Sequence, residues 1–168
     1  LCGRLMLFGV GAPGGMASHV HVPDYTLFQL PSTLDFELGA LAEPMAVTIH
    51  AARLGGVRPG SRVLVLGAGG GVGLAAVQIA KLLGARVIAT ASTDDKLARI
   101  GEYGADHLVN YANDERWDAT VRALTGKRGA DVVFEHVGKA VWEKVILATA
   151  RGGRIVTCGA TSGWDVKT

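Results

Sequence analysis

The sequence predicts an α/β fold, a doubly wound parallel sheet with helices on both faces. From residue 62 onward, short apolar runs alternate with amphipathic segments of helical length. Short turns that contain glycine join these segments, and the first apolar run leads into the glycine-rich stretch GAGGGVG. Continuous apolar runs are typical of parallel strands that are covered on both faces.

The segment before residue 62 is less regular. MASHVHVP, residues 16–23, alternates apolar and polar residues and predicts a half-buried strand. STLDFELGALAE, residues 32–43, predicts a helix with Ser32 as its N-cap. A second helix is expected to start at Pro44 and to stop at the Gly55-Gly56 pair.

Five strands and four interleaved helices are predicted beyond this segment. The strands are 62–66, 86–90, 107–109, 131–134 and 154–157, and the helices are 71–83, 94–103, 114–124 and 139–150. A complete doubly wound sheet of this kind has six strands, so we expect this sheet to lack an edge strand. An open edge favours pairing between chains, and we therefore expect a homo-oligomer.

Composition excludes several classes of protein. The 24 glycines are not periodic and only 5 prolines occur, which argues against collagen-like and low-complexity chains. The net charge of +2, without a basic block, gives no sign of nucleic-acid binding. We expect no membrane span and no signal peptide, because glycines interrupt the apolar stretches. Two cysteines, Cys2 and Cys158, fit a reducing cytoplasm.

The glycines of GAGGGVG do not follow the usual Gly-x-Gly-x-x-Gly spacing, because Val72 and Leu74 occupy the positions where a third glycine would fall. They fit Gly-x-x-Gly-x-x-Gly instead, with Gly67, Gly70 and Gly73 three residues apart. A helix N-terminus offers unpaired N–H groups and partial positive charge to a diphosphate. We interpret Gly67 as the turn out of the strand and Gly73 as the site of close packing between helix and sheet.

Residues 69–71 would let the backbone approach the phosphates. A purely structural turn is the alternative, but such a turn needs one or two glycines, and here there are five in seven residues. A Walker A loop is excluded because no Gly-Lys-Ser/Thr tripeptide occurs. The Tyr-x-x-x-Lys pair of short-chain reductases and the strand-end acid of methyltransferases are also absent.

The end of the second strand bears on the cofactor. It reads IATAS, without the acid that would bind a ribose 2′-hydroxyl of NAD. Small residues at 91–93 and the cation Lys96 suit a 2′-phosphate, which favours NADP over NAD. Alternatively, Lys96 is solvated and Asp94 or Asp95 reaches the ribose, which keeps NAD open.

Six segments together resemble the medium-chain dehydrogenase/reductase superfamily, which contains zinc-type alcohol dehydrogenases and quinone oxidoreductases. They are GGMASHVHVP, AEPMAVTIHAA, VRPGSRVLVLGAGGGVGLAAVQIAKLLGARVIAT, YGADHLVNY, VVFEHVG and RGGRIVTCGATSG. The resemblance implies a Rossmann-like dinucleotide-binding domain at residues 43–168, truncated at its C-terminal end. Residues 1–42 would be a remnant of the catalytic domain and a connecting segment.

The resemblance also implies which residues hold the cofactor. The turn would contribute Gly67, Gly69, Gly70, Gly71, Val72 and Gly73. Contacts to the 2′-phosphate would come from Ser92, Lys96 and Tyr111, and contacts beside the adenosine from His136 and Val137. The nicotinamide would face Cys158, Gly159 and Ala160 on one side and Val47 or Thr48 on the other.

Zinc is less well supported. The catalytic Cys and His-Glu ligands of zinc-dependent members have no match here, and we identify no catalytic residue in this chain. Glu43 lies where relatives keep an acid near zinc, so it could act as a ligand only together with a missing domain; otherwise it is a helix N-terminal acid. Cys2 resembles the last ligand of a structural zinc lobe whose other three cysteines are absent. His19 and His21 are interpreted as a strand-surface pair, and His50 as a packed histidine.

Three functions remain open at this point. The chain could be the cofactor-binding part of an oxidoreductase that moves a hydride between nicotinamide and a small-molecule carbonyl or alcohol, with zinc assistance in the intact enzyme. It could belong to a zinc-independent quinone or enoyl reductase. It could also be a nucleotide-binding module without activity of its own.

Overall fold

A computed structural model describes residues 8–9 and 11–165. The chain divides into two compact units, Leu1–Gly39 and Ala40–Thr168. Among the described residues, no helix has the length and apolar character needed to cross a membrane.

The first unit contains little regular structure. A short 3-10 helix, Asp24–Thr26, precedes the four-residue helix α1, Phe36–Gly39. The strand predicted at residues 16–23 is wrong: these residues form no strand and are mostly exposed. Alternation favours a strand only where a partner strand supplies hydrogen bonds, and in the described part of the chain none pairs with this segment.

The helix predicted at residues 32–43 is also wrong in its start and its extent. Residues 31–34 form a turn closed by a hydrogen bond from the Leu34 N–H to the Pro31 carbonyl, at 3.0 Å. This turn contains Ser32, so Ser32 cannot cap a helix. Asp35 does so instead, because its Oδ1 accepts the N–H of Leu38 at 2.7 Å.

The second unit begins with helix α2, Ala42–Gly55. Pro44 lies in its first turn, where the missing N–H has no intrahelical acceptor to lose. Gly56 ends the helix in the left-handed conformation, with φ of 66°, and its N–H donates to the carbonyls of Ala52 and Arg53. The predicted stop at the glycine pair is confirmed.

A parallel five-stranded sheet forms the centre of this unit. Its strands are β1 (Arg62–Val65), β2 (Arg86–Ala91), β3 (His107–Asn110), β4 (Ala130–Glu135) and β5 (Thr149–Thr157). The connecting helices are α3 (Gly71–Leu82), α4 (Asp94–Gly101), α5 (Trp117–Leu124) and α6 (Trp142–Ala148). The strand order is β3-β2-β1-β4-β5, which confirms the predicted Rossmann-like fold.

The order of the strands determines where a ligand would bind. The chain passes outward from β1 to β3 and then returns to place β4 on the other side of β1. The carboxyl ends of β1 and β4 therefore lie side by side at the switch point. Ligands of such sheets bind in the crevice that opens there.

The core has one apolar layer on each face of the sheet. Val63 and Val65 of β1 face a layer that includes Val77 of α3, whereas Leu64 faces a layer that includes Trp117 and Val121 of α5. Successive strand residues point to opposite faces, so both faces need apolar residues. This burial explains why the strand sequences are continuously apolar.

Two helices begin later than the sequence suggests. α5 begins at Trp117 because the carboxylate of Asp114 binds the Arg116 N–H at 2.9 Å and the Thr120 hydroxyl at 2.6 Å, which holds residue 114 in the preceding turn. α6 begins at Trp142 because the segment before it bonds to the loop that follows β5. The N–H of Lys139 donates to the Gly163 carbonyl at 3.0 Å.

Candidate functional site

The turn between β1 and α3 is tightly closed. Gly67 has φ of +55°, a conformation that favours glycine. The N–H of Gly70 donates to the Gly67 carbonyl at 3.1 Å, and the N–H of Ala68 donates to the Thr90 carbonyl at 2.9 Å. The turn is thereby fixed at the carboxyl ends of β1 and β2.

Gly73 lets α3 lie directly against this turn. A Cβ at Gly73 would be 2.5 Å from the Gly67 oxygen and 2.7 Å from the Ala68 Cα, and both are backbone atoms. No side chain fits without moving the helix. The role that the sequence suggested for Gly73, close packing of helix on sheet, agrees with this geometry.

The N-terminus of α3 is open. Its N-cap residue, Gly70, provides no side-chain hydrogen bond, and the Leu74 N–H is the one that reaches the Gly70 carbonyl, at 2.8 Å. The N–H groups of Gly71, Val72 and Gly73 precede that bond and have no intrahelical acceptor. These N–H groups lie at the positive end of the helix dipole, next to glycine backbone without side chains, and this arrangement favours binding of an anion.

A cationic side chain borders the turn on the β2 side. A Cβ at Gly69 would lie 3.2 Å from Lys96 Cδ, so the stem of Lys96 runs along the glycine backbone. Arg99 lines the same small cavity as Gly69 and Lys96. Arg99 is not among the residues predicted from the sequence; its position three residues after Lys96 in a predicted helix was the available signal.

Ser92 and Tyr111 lie at the same edge. Ser92 directly follows β2, and the Tyr111 N–H donates to the Ala91 carbonyl at 3.1 Å. Asp94 Oδ1 accepts the side-chain N–H of Asn110 at 2.7 Å, and Asn110 of β3 pairs with Ala91 of β2. The structure thus brings Ser92, Lys96 and Tyr111 to the end of β2.

His136 borders the turn on the β4 side. Its Nε2 is 2.9 Å from the position that a Cβ of Gly67 would occupy. Burial lowers the pKa of His136, and the smaller opposing effects of the Glu135 charge and of the Gly67 backbone contact do not reverse this. The imidazole is therefore neutral near pH 7. The adjacent Val137 lies within 3.6 Å of the same Gly67 position.

The side chain of Glu135 stabilises the loop that follows β4. It is completely buried, and its Oε1 accepts the N–H groups of Val137 and Gly138, both at 2.6 Å. Its Oε2 has no hydrogen-bond partner among the described residues. Glu135 is not among the residues predicted from the sequence, although a charged residue at the end of the apolar run VVFE was a signal.

The loop after β5 is bound to the loop after β4. The Cys158 N–H donates to the Glu135 carbonyl at 2.9 Å, and the Thr161 hydroxyl donates to the His136 carbonyl at 2.8 Å. Gly159 lies beside His136, and Ala160 follows in the same loop. Burial raises the pKa of the Cys158 thiol, and the nearby charge of Glu135 acts in the same direction, so the thiol is protonated near pH 7.

The remaining predicted residues lie on α2. Val47 is half-buried, whereas Thr48 is completely buried. The Thr48 hydroxyl donates to the Pro44 and Met45 carbonyls of the same helix. Glu43 is exposed in the first turn. His50 is exposed, so its interpretation as a packed histidine is wrong.

No zinc site is assembled from the described residues. Within residues 8–9 and 11–165, no three His, Cys, Asp or Glu side chains are grouped to hold a metal. His19 and His21 are exposed in the first unit, and Cys2 lies outside the described residues. The residues that the structure describes therefore do not form the tetrahedral ligand set of a zinc ion.

The fold and the open turn define a nucleotide-binding α/β domain. Residues 71–167 match the model of the family described as zinc-binding dehydrogenase. The chain belongs to this family, and with it to the medium-chain dehydrogenase/reductase superfamily.

Individual relatives agree with this assignment. An uncharacterised zinc-type alcohol dehydrogenase-like protein of Escherichia coli is 38% identical over 89% of this chain and 43% of its own length. The structure of an NAD-dependent alcohol dehydrogenase superposes with a TM-score of 0.88, at 46% identity, over 98% of this chain and 48% of that one. The quinone oxidoreductase of Thermus thermophilus, solved also with NADPH, gives a TM-score of 0.76 at 38% identity, over 90% and 49% of the two chains. The chain thus spans less than half the length of each of these proteins.

Proposed function

We propose that this chain is the cofactor-binding part of an NADP(H)-preferring oxidoreductase of the medium-chain class. The intact enzyme would move a hydride between the nicotinamide and a small-molecule carbonyl or alcohol. The open N-terminus of α3, beside Gly73 packed on backbone, is the observation that carries the proposal. Membership of the zinc-binding dehydrogenase family supports it.

In this proposal the chain binds and orients, and the dinucleotide supplies the hydride chemistry when it is bound. The N–H groups of Gly71, Val72 and Gly73 bind the diphosphate, and Gly69 and Gly70 leave room for it. His136 and Val137 contact the adenosine. On the nicotinamide side, Cys158, Gly159 and Ala160 position the ring opposite Val47.

A preference for NADP(H) over NAD(H) rests on the edge formed by β2. Lys96 and Arg99 provide two cations beside Gly69, and Ser92 and Tyr111 add hydroxyl groups. Asp94, the acid that could bind a ribose 2′-hydroxyl, has one carboxylate oxygen bonded to the Asn110 side chain. The relatives include both an NAD-dependent enzyme and a structure solved with NADPH, so they do not favour one cofactor over the other. The preference for NADP(H) therefore rests on the charges beside Gly69.

A zinc-independent quinone or enoyl reductase is the second candidate. The glycine turn resembles the quinone-reductase form of the fingerprint, which is one residue longer than the alcohol-dehydrogenase form. The likeness to a quinone oxidoreductase also favours this candidate. Under the first candidate, Glu43 would lie near zinc only together with a further domain. In either case we propose that this chain alone binds the dinucleotide without turnover. We also propose that it acts in the cytoplasm. An open sheet edge would let it associate with copies of itself.

Isothermal titration calorimetry with NADPH and NADH tests the proposal. We expect NADPH to bind more tightly, and Lys96→Ala to weaken NADPH about tenfold, because a charge-assisted contact contributes roughly 1.5 kcal/mol. NADH affinity should stay the same in that variant. Lys144→Ala removes an equal charge from α6 and serves as the matched control. The preference would be wrong if NADH bound as well as NADPH and Lys96→Ala left NADPH affinity unchanged.

A further inference from the structure

A second cavity lies at the opposite edge of the sheet, where β1, β4 and β5 have their amino ends. Its volume is about 460 Å³, within the range of pockets that hold small molecules. The end of α2, the turn before β1 and the first half of β5 form its walls. It shares no lining residue with the glycine turn.

Arginine side chains dominate this cavity. Five arginines and one aspartate are its charged lining residues, and they are Arg58, Arg62, Arg128, Arg151, Arg154 and Asp131. Their formal charge is +4, whereas the entire chain carries only +2. Clefts lined by one sign of charge concentrate ligands of the opposite sign.

Asp131 neutralises only part of this charge. Its carboxylate lies 2.8 Å from an Arg128 nitrogen and 4.0 Å from an Arg62 nitrogen. Arg154 has one donor directed to the Gly55 carbonyl, at 3.3 Å. Arg58 and Arg151 are exposed, and their guanidinium groups make no hydrogen bond or ion pair within the part of the chain that the structure describes.

Glycines keep the walls of the cavity free of side chains. A Cβ at Gly60 or Gly152 would meet nothing within 4 Å, so the space in front of both is open. A Cβ at Gly56 would be 2.5 Å from an Arg154 nitrogen, so the guanidinium lies directly on glycine backbone. Donors with free hydrogen-bonding capacity therefore surround an accessible space.

We propose that this cavity binds a small anion that carries at least two phosphate or carboxylate groups. Arg58 and Arg151 each offer a planar fork that can bind one such group with two hydrogen bonds, and Arg154 retains further donors. A bound polyanion would also relieve the repulsion among the arginines. The site is independent of the dinucleotide at the other edge of the sheet.

Titration with pyrophosphate at constant ionic strength tests this proposal. We expect pyrophosphate to bind the wild-type chain and the Arg58→Gln/Arg151→Gln variant to bind it at least about tenfold more weakly. Arg116→Gln, which removes an exposed arginine at the start of α5, should bind like the wild type. Citrate in the same series shows whether the cavity binds carboxylates as well as phosphates. Binding of either anion supports the proposal if the double variant loses that binding.

Thermal unfolding without added anion shows whether the double variant is folded. We expect it to unfold at the wild-type temperature or above, because a source of repulsion is removed. Absence of binding to the wild-type chain would overturn the proposal. It would equally be overturned if the folded double variant kept full affinity, or if Lys96→Ala rather than the arginine changes abolished binding, since the anion would then occupy the glycine turn.

Discussion

Gly73→Ala tests how closely α3 lies against the glycine turn. The new Cβ would be 2.5 Å from the Gly67 oxygen, whereas ordinary contacts begin at 3.4 Å. The helix and the turn would therefore have to separate by at least about 0.9 Å, the difference between these two distances. The neighbouring atoms are backbone, so no side-chain rotation can relieve the contact.

Such overpacking costs about 1–3 kcal/mol. The better helix propensity of alanine offsets up to about 1 kcal/mol of this loss of stability. We therefore expect a net loss of roughly 1–2 kcal/mol, which lowers the melting temperature by about 2–8 °C in a chain of this size. Thermal and urea denaturation followed by circular dichroism would measure it. NADPH affinity should fall as well, because the N–H groups of α3 are displaced from the turn.

Gly71→Ala is the matched control for this change. A Cβ at Gly71 meets nothing within 4 Å. We expect its stability to stay within about 0.5 kcal/mol of the wild type or to rise slightly. If Gly73→Ala unfolded at or above the wild-type temperature, the close packing of α3 against the glycine turn would be refuted.

Two further predictions concern charged groups. Asp106 accepts hydrogen bonds from Lys81 Nζ and from the Val87 N–H; burial alone would raise its pKa, but these contacts and the charge of Lys81 lower it overall. The stability that the Asp106 carboxylate contributes is therefore complete above about pH 4 and is lost as the pH falls through the lowered pKa. Asp106→Asn should lower the free energy of unfolding by about 1 kcal/mol at pH 7, measured by urea denaturation. The pKa of His136 is lowered chiefly by burial, so stability should decline as the pH falls below about 6.5, where the unfolded chain takes up the proton first. Melting temperatures between pH 7.5 and 5.5 should fall less steeply in His136→Gln, and parallel curves would contradict this assignment.

Much of the sheet could be predicted from local sequence. Strands β1 to β4 lie within one residue of their predicted ends, because continuous apolar runs between glycine turns leave few alternatives. The strand at residues 16–23 could not be judged in this way, since alternation shows an amphipathic pattern but not a partner. The starts of α5 and α6 depend on contacts from Asp114 and from the loop after β5, which local sequence does not reveal.

The candidate site divides in the same way. The glycine turn and the position of Lys96 near it could be predicted from local signals, which are the glycine spacing and the missing strand-end acid, while their contacts with a cofactor stay a prediction. Arg99 and Glu135 had only weak local signals, which are the helical spacing from Lys96 and the charge that ends the apolar run VVFE, because their contacts depend on neighbours that the folded chain brings together. Glu135 holds the loop of Val137 and Gly138 through two hydrogen bonds from a buried position.

Amide chemical shifts during titration with NADPH test the central claim most directly. In a 15N-labelled sample of this chain, we expect the largest shift changes at the N–H groups of residues 69–73, at the N-terminus of α3. If NADPH bound while these amides kept their positions and others moved, the glycine turn would not be the diphosphate site.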